Sequence, residues 1–184
     1  TRDFNIEVPF IHGDTAMIIS AGIGGIHSLI KNTIVESREG MIVKSSDVAS
    51  LYPTLILMYS CFRQKQVNEK YAEVKADRLV AKKNKMKMKD TFLKLVLNSA
   101  SGILDNEFSW INFSEGALRM RILGQLIMLK ALDEVCAKGY QAIALNTDSI
   151  DVLIKKEDEV EYEKIIAGIE EKYKAVSYTH LTLP

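Results

Sequence analysis

Met41-Ile-Val-Lys-Ser-Ser-Asp47-Val-Ala-Ser-Leu-Tyr-Pro-Thr54 is a short apolar run that delivers the chain to an aspartate and then to a proline-marked segment. Ala142-Ile-Ala-Leu-Asn-Thr-Asp148-Ser-Ile-Asp-Val-Leu-Ile154 sets two apolar runs around Asn-Thr-Asp-Ser. Turn formers between strand formers read as a β-hairpin. If the Met41 strand pairs against that hairpin, Asp47 and Asp148 converge at one edge of a small sheet. The fold reading turns on that pairing.

Working outward, Met17 to Ile34 alternates short apolar runs with Gly22, Gly24 and Gly25, which predicts strand and tight loop. Leu55 to Met58 is a helical turn or a short helix. Asn68 to Asp90 is highly charged with helical spacing and a break near Asn84. Thr91 to Leu104 follows as a second helix with an apolar side of Phe92, Leu95, Val96 and Ile103. Asp105-Asn106 is turn chemistry and Glu107 to Phe113 reads as strand-like, with Phe108 and Trp110 packing on a sheet face. Ser114 suits the N-cap of a long helix that runs to about Lys138 and stops at Gly139. Glu157 to Lys174 is a last amphipathic helix with Ile165, Ile166 and Ile169 as its stripe. The order predicts an α+β fold, helices layered over a small antiparallel sheet.

The 184 residues are 47% hydrophobic and 26% charged, an ordinary globular composition, and the formal net charge is zero. Whole-chain charge therefore gives no hint of a nucleic-acid partner, and any basic surface must be local. Cys61 and Cys136 have no metal-ligand spacing, which argues for a reducing compartment and against structural zinc. No leader is legible in Thr1 to Glu7, and Ile122 to Leu132 is too short and too interrupted to cross a bilayer. These features predict a cytoplasmic chain with no membrane partner. A first residue other than Met suggests a piece of a longer polypeptide. From Val176 to Pro184 the charges vanish and no pattern continues, so this tail reads either as non-native linker or as a strand.

Two aspartates on rigid elements are what metal-assisted phosphoryl transfer requires. That reaction needs charge neutralisation and in-line positioning more than covalent help. Magnesium, a hard cation, is held by a few carboxylates with waters and substrate phosphates. Taken singly, Asp47 reads rather as a helix cap and Asp148 as an ordinary turn aspartate, and only the surrounding sequence changes that. Lys94, Asn98 and Ser101 or Gly102 recur at helical spacing, so a lysine and an amide share one face. Arg78, Lys82, Lys85 and Lys89 form a similar stripe if their helix continues unbroken.

The surrounding text carries a resemblance. Asp47-Val-Ala-Ser-Leu-Tyr-Pro-Thr is similar to motif A of family B DNA polymerases, and Asn146-Thr-Asp-Ser to motif C. Lys94-Leu-Val-Leu-Asn-Ser-Ala-Ser-Gly is similar to motif B, and Gly22-Ile-Gly-Gly-Ile-His-Ser resembles the glycine-rich link ahead of motif A in phage members. The motifs stand in the family's order across roughly residues 20–156.

The resemblance implies a polymerase palm with an inserted helical-hairpin fingers subdomain. The division is 1–60 for the first palm part, 61–104 for the fingers, 105–175 for the second palm part and 176–184 for the tail. It implies Asp47 and Asp148 as catalytic metal ligands with Val48 beside them, for Mg2+ with Mn2+ as a substitute. It also implies nucleotide contacts from Ser50, Leu51, Tyr52, Arg78, Lys94 and Asn98, and DNA contacts at Gly24, Gly25, His27, Gly102 and Thr147. Tyr52 would sit under the sugar and exclude a 2′-hydroxyl. The implied partners are a DNA primer-template, deoxynucleoside triphosphates, and an exonuclease and thumb not visible here.

Two positions depart from the pattern. Asn146 replaces the first motif C aspartate, leaving the metal-binding pair intact, and Ser101 replaces the motif B tyrosine that packs on the nascent base pair. A palm-derived DNA-binding or scaffold fragment without catalysis is the alternative. Reverse transcriptases and RNA polymerases place adjacent aspartates in the hairpin, whereas Asp148 is followed by Ser149.

Overall fold

The computed structural model describes residues 5–29, 35, 39–48 and 50–179. Among these residues the fold is α+β: two three-stranded antiparallel sheets and five α-helices. The chain forms two compact units, one of residues 1–49 and 121–175, the other of 50–120 with 176–184. These boundaries differ from the division at 60 and 104 read from the motifs.

In the first unit, β1 (Asn5–His12), β2 (Thr15–Gly22) and β3 (Gly25–Leu29) make one sheet in that order. β1 escaped the sequence reading because Pro9 interrupts its alternation. On an edge strand a missing N–H is tolerated, and Pro9 pairs opposite Ile18 there. The second sheet has β6 (Ser149–Lys155) between β4 (Met41–Asp47) and β5 (Gln141–Leu145). The expected hairpin and its pairing with the Met41 strand are both present.

The alternate residues Ile150, Val152 and Ile154 of the central strand are 1% exposed or less, which makes β6 the spine of this core. Two hydroxyls stitch the sheets together. Thr15 Oγ1, almost fully buried, accepts from Ala142 N at 2.9 Å, and Ser28 Oγ accepts from Leu145 N at 2.9 Å. Such bonds satisfy backbone donors that burial would otherwise leave costly.

The second unit begins with α1 (Leu51–Met58), followed by α2 (Lys65–Lys83) and α3 (Lys87–Asp105) as an antiparallel pair. The break near Asn84 is present: Lys85 adopts a left-handed φ of 56° in the tight turn. The stripe of Arg78, Lys82, Lys85 and Lys89 is therefore interrupted. Across the pair, the buried Tyr71 hydroxyl donates to Leu97 O at 2.9 Å. Tyr71 also packs its ring against Phe62, with centroids 5.4 Å apart.

Two expectations fail in this unit. The side of α3 carrying Phe92, Leu95, Val96 and Ile103 faces solvent, with Phe92 65% exposed. Its core face is instead Leu97, Ala100 and Leu104. Residues 107–113 form turns, not a strand. Asn106 Oδ1 accepts from Phe108 N at 3.0 Å and Asn112 Nδ2 donates to Leu104 O at 3.1 Å, so local side-chain bonds replace a ladder. Phe108 and Trp110, 90% and 79% exposed, pack on no sheet.

α4 (Ser114–Ala137) has Ser114 as its first helical residue, and the capping carbonyl is that of Phe113, which accepts from Ala117 N. Its end behaves as expected. Gly139, at φ 85°, donates to Cys136 O while Tyr140 N reaches Val135 O, the paired bonds of a Schellman stop. A 3-10 turn at Lys156–Asp158 leads into α5 (Glu159–Thr179). The backbone of 176–179 is thus helical and no strand forms there, while 180–184 lie outside the described residues. No helix among the described residues is long and apolar enough to cross a membrane.

Candidate active site

The ladder between β4 and β6 sets the site. Its register places Asp47 opposite Ser149, and Val48 N donates to Asp148 O at 2.8 Å. Asp47 and Asp148 are therefore diagonal neighbours at one end of one ladder. They are offset by one position where the ladder ends, and neighbouring backbones in a sheet run only about 5 Å apart. Asp148 is carried in a tight loop in which Asn146 N donates to Ser149 O at 2.8 Å. Both aspartates are exposed, while Val48 and Ser149 beneath them are each 8% exposed. Two solvated carboxylates stand on a buried, hydrogen-bonded base.

The glycine loop belongs to the same unit and touches this hairpin. Gly25 has φ 135°, and a Cβ added there would lie 2.8 Å from Thr147 Oγ1. Only a residue without a side chain allows the loop so close. Gln125 Nε2 holds the loop from α4 by donating to Gly22 O at 2.7 Å. A shallow pocket of about 210 Å³ opens beside it, lined in part by Asn5, Ser20, Gly24 and His27. His27 is exposed on β3 opposite Ser20.

The remaining candidates lie in the second unit. Ser50, just before α1, adopts a left-handed φ of 55°, uncommon for a residue with a side chain. Leu51 is buried and Tyr52 half-buried. Arg78 is not on an open lysine stripe. Its Nε donates to Asp90 Oδ1 at 3.0 Å and its Nη1 to Ser50 Oγ at 3.3 Å, and its side chain is 16% exposed. Lys94, Asn98 and Gly102 are exposed along one side of α3, and the Ser101 hydroxyl turns back onto Asn98 O at 2.9 Å.

Asp90 was missed by the sequence reading because it ends a run of lysines that looks uniformly solvated. Another missed tie secures β4: Lys44 Nζ reaches Glu159 and Glu163 of α5 at 2.6 and 2.7 Å. Their carboxylates hold the ammonium proton, raising the Lys44 pKa and lowering that of Glu159.

Among the described residues no cluster of three or more His, Cys, Asp or Glu side chains exists, so no all-protein metal cage is present. Two carboxylates, one ending β4 and one in the turn before β6, are a donor set magnesium can use, since it takes one or two carboxylates and completes its shell with water and substrate phosphate. No protein-family model matches the chain, and no curated protein matches it.

Proposed function

We propose that this chain is the palm and fingers part of a DNA-directed DNA polymerase of family B, with α2 and α3 as the inserted fingers hairpin. The observation that carries the reading is the β4–β6 register, which puts Asp47 beside Asp148 although the sequence separates them widely. The three motifs supply the residue types expected around such a pair, in order.

In this reading Asp47 and Asp148 hold Mg2+, with Val48 beside them. Bound Mg2+ supplies Lewis-acid neutralisation of the attacking 3′ oxygen and the triphosphate. The protein's own part is positioning. Lys94 presents a mobile point charge to phosphate oxygens, and Arg78 a planar fork of donors. Asn98 shares the Lys94 face, Ser50 to Tyr52 offer backbone donors, and the Tyr52 ring stands under the sugar. Gly24, Gly25, His27, Gly102 and Thr147 lie along the primer-template.

Primer extension with magnesium, using this chain and the full reading frame that encodes it, tests the reading. Asp47→Ala and Asp148→Ala should each lower extension on the order of 10³-fold or more, as when a transition-state charge loses its stabiliser. Full extension by either variant rejects the assignment.

A further inference from the structure

The Arg78 guanidinium is held from two sides by elements distant in sequence, and both holds leave part of it unused. Of its five N–H donors, the Nε–H goes to Asp90 Oδ1 at 3.0 Å and one Nη1–H goes to Ser50 Oγ at 3.3 Å. Among the described residues no partner takes the Nη2 pair or the second Nη1–H; one Nη2–H shares the Nε edge that Asp90 faces, and the other belongs with Nη1 to the terminal edge that receives an oxyanion bidentately. Asp90 binds the Nε side and does not occupy that edge. It sits in the first turn of α3, where a carboxylate is favoured by the helix dipole, and is 29% exposed on its side chain. Ser50 presents its hydroxyl from a left-handed backbone, with φ 55°. An arginine on an exposed helix ordinarily loses considerable rotamer freedom on binding. Here Asp90 and Ser50 have already restricted it.

We propose that Asp90 is a positioning residue for anion capture: its hydrogen bond to Nε aims the Arg78 fork at a polyphosphate. The inference deepens the polymerase reading and rests on it for the identity of the ligand as a nucleoside triphosphate. The anion chemistry itself needs only the Ser50–Arg78–Asp90 cluster. Two effects of Asp90 oppose each other. Its charge repels an incoming phosphate, and its hydrogen bond orients the arginine. The proposal is that orientation prevails, and asparagine at this position separates the two effects because it keeps the acceptor and removes the charge.

The experiment measures binding of inorganic tripolyphosphate to this chain by calorimetry, and the KM and kcat for deoxynucleotides in primer extension by the full reading frame. Asp90→Ala should weaken tripolyphosphate binding about tenfold and raise KM to a similar degree with kcat little changed. Asp90→Asn should restore binding to within about threefold of the parent. Tighter binding by both variants would make Asp90 a plain counter-ion and overturn the proposal. So would unchanged binding by Asp90→Ala, or no binding of tripolyphosphate to the parent chain. A purely structural role predicts that Asp90→Ala lowers the melting temperature and kcat with no selective rise in KM, and that result also overturns it. If extension is absent throughout while the tripolyphosphate pattern holds, the polymerase reading fails and the positioning role stands. If extension proceeds and Asp90→Ala leaves KM unchanged, the reverse is true.

Discussion

Replacing Gly25 by alanine puts two separable costs on one residue. The backbone there has φ 135°, a region that L-residues rarely adopt, and holding one in such a region costs about 1–3 kcal/mol. The added methyl would also lie 2.8 Å from Thr147 Oγ1 and 2.9 Å from its Cγ2. Thr147 is β-branched with few χ1 choices, so the crowding is relieved mainly by moving the Asn146–Ser149 loop, at about 1–3 kcal/mol. The sum, about 3 kcal/mol for Gly25→Ala at the lower middle of both ranges, corresponds to a fall of about 6–12 °C in melting temperature for a chain of this size.

Thr147→Ala removes both clashing atoms and leaves the backbone cost untouched. Urea unfolding of the two single variants and the double variant then forms a cycle. The double variant should recover about 1–2 kcal/mol relative to additivity, a coupling expected only of groups in contact. Additivity within about 0.5 kcal/mol, or a Gly25→Ala chain as stable as the parent, would refute the close approach of the glycine loop to the aspartate-bearing hairpin.

Burial pushes the Cys61 thiol up from 9.0 to about 11, with Arg119 pulling weakly the other way, and raises the Tyr71 and Tyr162 phenols as well. The Cys61 thiol keeps its proton to higher pH folded than unfolded, so its contribution is intact below pH about 9 and is lost as pH rises through about 11, with the tyrosines extending the loss to higher pH. Urea midpoints across the Cys61 window should fall, and less so in Cys61→Ala. The Tyr162 hydroxyl is buried without a hydrogen-bond partner among the described residues, since Ser46 is near enough to perturb its titration yet outside bonding geometry. Tyr162→Phe should therefore be neutral or stabilising by up to about 1 kcal/mol in urea unfolding, and a larger loss would reveal a partner. Tyr52→Ala should lower the preference for deoxy- over ribonucleotides, as the ratio of kcat/KM values, by about tenfold or more, and an unchanged ratio would remove its role under the sugar.

The hairpin and its partner strand were legible because period-2 apolar runs and Asn-Thr-Asp-Ser turn chemistry are local signals that tertiary packing did not override. The α2–α3 pair was legible for the same reason, down to its break. Which face of α3 is buried was not. That helix carries one apolar row through Phe92, Leu95 and Val96 and another through Leu97, Ala100 and Leu104. Periodicity cannot choose between two such rows when the choice depends on which one meets the neighbouring helices. Phe108 and Trp110 misled because aromatic alternation imitates a strand where asparagine side chains have already taken the backbone into turns. At the site, the aspartates stood out through their flanking strands. Asp90 did not, since its hydrogen-bond partner is a guanidinium twelve positions away on another helix.

The β4–β6 pairing has a consequence for how the chain can vary. It closes a long loop, and closure entropy grows only with the logarithm of loop length, about 0.6 kcal/mol per doubling. Extra turns added at the Lys85 tip, or a shorter helical pair, would thus scarcely change the thermodynamics of bringing β4 to β6. Kinetically the reverse holds: the helices can form from neighbours in sequence, whereas the strand pairing must wait for a distant encounter. The strand pairing that carries the two aspartates is accordingly expected to form after the helical pair, so that tolerance to insertion comes with late assembly of the very ends it joins.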